Sequence, residues 1–277
     1  MTALYLFILG LIVGSFLNVV SLRYVPATTI KESWNVGGRS KCTSCNKTLS
    51  WYELIPVFSF IIQFGKCRSC GSKLSLQYPL VEIMSGLIFL LPFYFDPPQS
   101  FIWIGIFLIF LLIFTIDYRL YIIPDELNFL LAVSGIGLMS LHYINDTFGL
   151  FNGSFLGYYS AIFGLRENVW TNHVFAAIIA FTIFGLIHLL TKGKGMGFGD
   201  AKLILAIGLI MGWPDITLVI TLSFLIGSLI SIFLLTLKKK SMKSTLPFGP
   251  FIIVATIITI FWGNELLNYY FKVINLF

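Results

Sequence analysis

The sequence predicts an all-α polytopic membrane protein with about eight transmembrane helices and a small cytoplasmic four-cysteine zinc-binding loop. Three observations predict it. Of 277 residues, 57% are hydrophobic and only 11% are charged. Soluble domains carry about 25% charged residues, and a chain this poor in polar groups cannot clothe a soluble globule. Long charge-free runs recur along the chain, several near the roughly 20 apolar residues that cross a bilayer. All four cysteines fall in one loop, as two CxxC pairs. The same composition excludes a disordered chain, and four cysteines in this length exclude a small disulfide scaffold.

The runs place the elements in order. Residues 1–22, 97–116, 127–145, 168–191, 216–237 and 244–264 lack charge and are long enough to span. Two others are short. Run 83–95 reaches spanning length only if it starts near Tyr78 and draws Glu82 into the membrane edge. Run 203–214 is closed by Trp213-Pro214-Asp215, so its span is short or begins near Asp200. Run 147–165 contains four Gly and an Asn and is read as a loop or interfacial segment. The first 22 residues lack a positive n-region and a small-residue cleavage site, which predicts a retained span rather than a removed signal peptide.

Orientation follows from the basic residues. With eight spans, one set of alternate loops holds 16 of the 18 Lys and Arg, and the other holds only Arg166 and Lys272. The first set is therefore assigned to the cytoplasm and both termini to the outside. A further span at 147–165 would move the lysines from Lys192 to Lys243 outside and erase the asymmetry. The net charge of +6 calls for anionic lipid head groups and for no nucleic acid.

Cys42-Thr-Ser-Cys45 and Cys67-Arg-Ser-Cys70 stand 21 residues apart, a spacing suited to a tetrahedral site with four cysteine ligands. A cytoplasmic loop keeps thiols reduced, so disulfides are the weaker reading. Lys41, Lys66 and Arg68 favour thiolates. Four thiolates leave zinc no open position, so the metal is structural; an iron–sulfur cluster is the alternative. Between the pairs, Trp51 to Phe60 is apolar enough to rest on the membrane surface.

Twelve acids exist in the chain. Asp117 closes run 97–116, Asp125 follows Pro124, and Asp200 ends Gly195-Met-Gly-Phe-Gly-Asp200. Two carboxylates at a semi-apolar edge push their pKa values apart. One ionised and one protonated carboxyl can activate water and protonate a leaving group. Spacing alone does not separate Asp117/Asp200 from Asp125/Asp200, and Asp125 also fits a helix cap. The glycine-rich stretch lacks GK[ST] and is no nucleotide loop. His142, His173 and His188 have no ligand spacing and read as packing or interfacial residues.

Taken together, Gly14-Ser-Phe-Leu-Asn18 with Arg23, the two CxxC pairs, Tyr78-Pro-Leu-Val-Glu82, Asp117 with Pro124-Asp125, Gly197-Phe-Gly-Asp200-Ala-Lys202 and Pro247-Phe-Gly-Pro250 resemble the bacterial type IV prepilin peptidases. Six motifs in one order, from about residue 10 to 250, make the resemblance specific. It implies an integral aspartic endopeptidase of the bacterial cytoplasmic (inner) membrane, its active site facing the cytoplasm. Such enzymes remove the basic leader of prepilins and pseudopilins after a Gly, and many then methylate the new N-terminus with S-adenosylmethionine. The resemblance puts the catalytic pair on Asp117 and Asp200 and links Gly65 to methylation. It divides the chain into a first helix (1–23), a methyltransferase-associated four-cysteine loop (24–78) and a peptidase helical domain (79–277). The stretch between the two aspartates is longer than is usual in that family, with the surplus around 147–167. A transporter would instead carry carboxylates near mid-span, and a metal-sensing membrane adaptor would need neither Asp117 nor Asp200.

Overall fold

The computed structural model describes residues 1–27, 30–34, 37–96, 98–145, 154–159, 168–238 and 244–274. Among them the chain is helical, with two isolated bridges as the only strand-like pairing. The helices are α1 Thr2–Arg23, α2 Ile30–Ser33, α3 Phe58–Ile62, α4 Gln77–Ile88, α5 Gln99–Leu120, α6 Asp125–Ile144, α7 Val169–Leu190, α8 Phe198–Met211, α9 Asp215–Thr236 and α10 Gly249–Val273. Six are long and apolar enough to cross a membrane: α1, α5, α6, α7, α9 and α10. They coincide with the six long charge-free runs. The two short runs became α4, of 12 residues, and α8, of 14 residues. At 1.5 Å per residue, neither reaches across about 30 Å of hydrocarbon.

The chain divides into two compact units, 1–116 and 117–277, with α5 beginning in the first and ending in the second. In the first unit α1 lies against α4. A Cβ at Gly10 would stand 2.7 Å from the Gly86 Cα, and one at Gly14 would stand 2.7 Å from the Ser85 Cβ. Gly10 and Gly14 form a GxxxG stripe, the pattern that lets membrane helices approach backbone to backbone. The buried Asn18 Nδ2 donates to the Tyr78 carbonyl at 3.1 Å, which ties α1 to the start of α4. At the end of α1, the Arg23 guanidinium donates to the carbonyls of Gly37, Gly38 and Arg39. The chain leaving the membrane is thereby gathered onto the helix end.

In the second unit α8 is enclosed by α6 and α7. Ala201, Leu203, Ile204, Ala206, Ile207, Ile210 and Met211 are all buried, which explains a helix apolar all round. A Cβ at Gly208 would stand 2.6 Å from the Ala177 Cα on α7. Beyond α8, the Asn172 side chain bonds both the N–H and the C=O of Trp213 at 2.8 Å.

Residues 154–159 clasp the neighbouring helix ends. Ser154 Oγ and the Phe155 amide each donate to the buried Asp215 carboxylate at 2.7 Å. The Tyr159 ring stacks on Phe271 at 4.9 Å and its hydroxyl donates to Asn268 at 3.0 Å. The described part of run 147–165 is a loop with one 3-10 turn, Gly157–Tyr159. Residues 147–153 and 160–165 lie outside the described residues.

Candidate active site and metal centre

Asp117 sits in the last turn of α5, and Tyr121, at φ +58, closes that helix by donating to the Asp117 carbonyl at 2.8 Å. Asp117 is buried and its Oδ2 accepts the Gly249 amide, the first residue of α10, at 3.1 Å. Asp200, also buried, stands in the first turn of α8 and accepts the Gly197 amide at 3.1 Å. Each carboxylate therefore faces the positive end of a helix dipole, where negative charge is favoured. Ile123 adjoins both helix starts: a Cβ at Gly199 would stand 3.4 Å from its Cβ, and one at Gly249 would stand 3.1 Å from its Cδ1. Three chain segments thus converge, and the fold brings together Asp117 and Asp200.

Asp125 is held differently. It begins α6, is exposed, and pairs with Lys202 Nζ at 2.7 Å. Lys202 also lies 5.1 Å from the centre of the Phe198 ring. The glycine-rich loop before Asp200 is braced: His188 Nδ1 meets the Met196 carbonyl at 2.8 Å, and Thr191 Oγ1 accepts the Gly195 amide at 3.2 Å. His173 Nδ1 meets the Leu209 carbonyl at 2.8 Å. Burial first, and then the neighbouring Asp117 charge, push the Asp200 carboxyl up to about 7, against the pull of the Gly197 amide. A carboxyl so placed keeps its proton near neutrality while a partner ionises.

The four cysteines meet in the first unit. Their sulfurs all lie within 4.8 Å of one another, Cys42 and Cys70 at 3.9 Å, with no disulfide. Each pair sits on a small turn closed by a bridge, Lys41 with Thr48 and Lys66 with Lys73. The turns repeat each other: Cys42 N donates to Lys47 O at 3.0 Å, and Cys67 N donates to Ser72 O at 2.9 Å. Leu49 N closes on Ser40 O and Leu74 N closes on Gly65 O, so Gly65 occupies in the second knuckle the place of Ser40 in the first. The Cys45 and Ser44 amides lower the Cys42 thiol to about 6, and the Ser72 hydroxyl and amide lower that of Cys70. Tetrahedral Zn–S bonds of about 2.3 Å put sulfurs ~3.8 Å apart, which this donor set fits. The cluster is thus able to hold a metal ion.

Gly65 takes φ +65 and follows Phe64 at φ +52, and its amide closes on Phe60 O at 2.9 Å. A Cβ there would stand 3.0 Å from the edge of the Phe60 ring. The position is a tight turn at the root of the second knuckle.

Comparison with known proteins adds the family. Residues 8–95 match the bacterial peptidase A24 N-terminal domain, and residues 103–232 match the type IV leader peptidase family. A protein of Xanthomonas campestris pv. campestris named prepilin leader peptidase/N-methyltransferase is 31% identical over 290 residues, covering 95% of this chain and 92% of its own. The chain belongs to the type IV leader peptidase family. Proteins of the same name from Pseudomonas aeruginosa, 30% identical with 96% of this chain and 92% of their counterpart covered, and from Pseudomonas putida, 28% identical with 94% and 90% covered, are similar over nearly the whole length. No solved structure matches the chain. Within this leader peptidase, the N-terminal match contains the four-cysteine cluster and the second match contains Asp117 and Asp200.

Sequence reasoning missed the Gly249 amide on Asp117, the His188 brace and the Asp215 clasp. The Pro247-Phe-Gly-Pro250 motif carried a signal for the first, since a glycine and a proline at a helix start mark a close approach. Asp215 was legible only as the end of a short run.

Proposed function

We propose that this protein is a bifunctional membrane enzyme, which cleaves the leader of type IV prepilins or pseudopilins after a Gly and N-methylates the new N-terminal residue. The observation that carries the peptidase half is the pair of buried carboxylates, Asp117 and Asp200, each held by one backbone amide. A substrate with a basic leader followed by an apolar helix presents its scissile bond at a membrane edge. Asp117 ends a span and Asp200 opens the enclosed helix α8, a placement that suits such a bond. In the proposed reaction one ionised carboxylate takes a proton from water as it attacks the Gly carbonyl, and the protonated partner gives its proton to the leaving amine. Asp200 is the member assigned the proton, because its own burial and then the Asp117 charge both favour its protonated form.

The basic leader needs acidic partners outside the pair. Glu53 accepts the Ser50 amide, Glu82 accepts the Val57 amide, and Asp125 is paired with Lys202. Glu126, beside Asp125 in the first turn of α6, is proposed as the carboxylate that meets the leader.

Cys42, Cys45, Cys67 and Cys70 are proposed to hold one structural zinc ion, which ties two knuckles that bury little core of their own. S-adenosylmethionine supplies the methyl group in the proposed second reaction. Gly65 is proposed to influence that reaction through the shape of its knuckle, because its surroundings make a turn rather than a ligand cradle, and no step is routed through it. The organisation proposed is a first helix (1–23), a four-cysteine loop (24–78) and a peptidase helical domain (79–277). A bacterial inner-membrane location with the site on the cytoplasmic side is proposed from the lysine and arginine bias, which counts α4 and α8, each lengthened by its flanking residues, as crossings alongside the six long spans. Incubation of the purified protein with a prepilin, followed by mass analysis of the product N-terminus, tests both halves.

A transporter reading is disfavoured by the spans themselves. Within the six spans, residues 2–22, 99–116, 127–144, 169–190, 216–236 and 249–264 carry no charged residue, and the acids used here lie at helix ends.

A further inference from the structure

The chain between the two knuckles is an apolar hairpin whose outer side is left uncovered by the described residues. Trp51, Leu54, Ile55, Phe58, Ile61, Ile62 and Phe64 are all exposed, Phe64 at 88%. Helix α3, Phe58–Ile62, buries none of its residues. A patch of this kind on a protein surface marks an interaction.

Its position decides with what. The Val57 amide donates to Glu82 Oε2 at 2.7 Å, and Ser15 on α1 lies beside the same carboxylate. Ser15 lies on α1 eight residues before Arg23, where that helix ends. Eight residues of helix are about 12 Å, so Val57 is tied to α1 about 12 Å on the apolar side of the Arg23 backbone. Glu82 itself is buried against α1, its Cα 2.8 Å from where a Gly14 Cβ would be. Val57 takes φ +61, a conformation that a β-branched residue holds only when its surroundings over-determine it. The hydrogen bond to Glu82 is such a surrounding.

Charge agrees with depth. From 39 to 76 the loop carries Arg39, Lys41, Lys47, Lys66, Arg68 and Lys73 against a single acid, Glu53. Glu53 is buried and spent on the Ser50 amide. A basic collar around an apolar tip is the pattern of segments that lie in a membrane interface.

We propose that residues 51–64 form a re-entrant membrane anchor. The tip around α3 inserts among the lipid acyl chains of the leaflet at the Arg23 end of α1, and the knuckles with their basic collar stand at the head groups. Glu82 is the internal hook that holds the tip at this depth. The anchor is independent of the peptidase reading and needs only the spanning of α1.

The test places a reporter in the tip. Phe58→Trp and, separately, Ile62→Trp are made in the full chain, reconstituted one copy per nanodisc, and their emission is read after subtraction of the wild-type spectrum. The proposal expects blue-shifted emission, loss of that emission when the acyl chains are brominated, and protection from aqueous iodide at both positions. Ser44→Trp on the first knuckle should show the opposite pattern. Quenching by iodide and not by brominated lipid at Phe58→Trp and Ile62→Trp would overturn the proposal. So would shielding from both quenchers that appears only on adding a prepilin or a second copy of the chain, since the occupant would then be protein.

Discussion

Replacing Gly249 by Ala probes the proposed active site without changing either aspartate. The new Cβ would stand 2.6 Å from Asp117 Oδ2 and 3.1 Å from Ile123 Cδ1. Carbon and oxygen atoms do not rest at 2.6 Å, so either the carboxylate or the start of α10 must retreat by more than half an ångström. Either movement lengthens the 3.1 Å bond from the Gly249 amide to Asp117. A hydrogen bond to a charged group contributes about 1.5–3 kcal/mol, which corresponds to roughly ten- to hundredfold in rate. Misplacement of a reacting group on the order of 1 Å acts in the same direction and to a similar extent. The expected outcome is a kcat lowered by about ten- to hundredfold with KM nearly unchanged, because the methyl points at the carboxylate. Cleavage of a prepilin in nanodiscs, followed over time by mass spectrometry, gives both constants, and the thermal midpoint shows whether the fold survives. On an Asp117→Asn background the same substitution should cost little more, since the two changes disable one device. A wild-type kcat for Gly249→Ala would refute the claim that this amide positions a working Asp117.

Other outcomes follow from the same geometry. Asp117→Asn and Asp200→Asn should each abolish cleavage while leaving protein levels intact, and the double variant should be no worse than either single one; this is read by prepilin processing and immunoblot. Asp200 must hold its proton to act as the acid, and its carboxyl is pushed up to about 7, so kcat should fall as pH rises through about 7. A rate flat from about pH 6 to pH 9 would contradict that role. The same raised group keeps its proton in the folded protein while an unfolded Asp has released it above about pH 4. It therefore stabilises the fold at low pH, and that contribution declines as pH rises from about 4 to 7, as thermal midpoints across pH would register. Elemental analysis should find one zinc per chain in the wild type and none in Cys42→Ser, with faster proteolysis of residues 24–78 in the variant. Gly65→Val, strained at φ +65 and pressed on Phe60, should still cleave prepilin but release an unmethylated product; methylation at the wild-type level would remove the knuckle from that activity.

The spans were legible because charge is so costly in lipid that each of the six charge-free runs read as a span became a helix, from Thr2–Arg23 to Gly249–Val273. The four-cysteine cluster was legible because two CxxC pairs leave few other ways to satisfy four thiols, and the sulfurs do converge. What spacing could not tell is which carboxylate turns inward. Asp117 and Asp125 are eight residues apart and equally acidic in sequence. The difference arises from Gly249, 132 residues away from Asp117, and from Lys202, which draws Asp125 outward. The enclosure of α8 was likewise hidden, since a short apolar run reads the same whether its neighbours are lipids or helices. Gly10 and Gly14 did carry a readable signal, the GxxxG spacing, for the contact with α4. The hook between Val57 and Glu82 carried none, because nothing local to either residue points to the other.

If Asp117 and Asp200 together cut a prepilin at the membrane edge, the cut must need both. The most direct measurement incubates purified wild type, Asp117→Asn and Asp200→Asn with the same full-length prepilin in lipid nanodiscs and reads the product N-terminus by mass spectrometry. The wild type should give one product, beginning immediately after the leader's terminal Gly and carrying one methyl group, and both variants should leave only uncut prepilin. Full cleavage by either variant, or no cleavage by a folded wild type that retains its metal, would contradict the paired-aspartate reading.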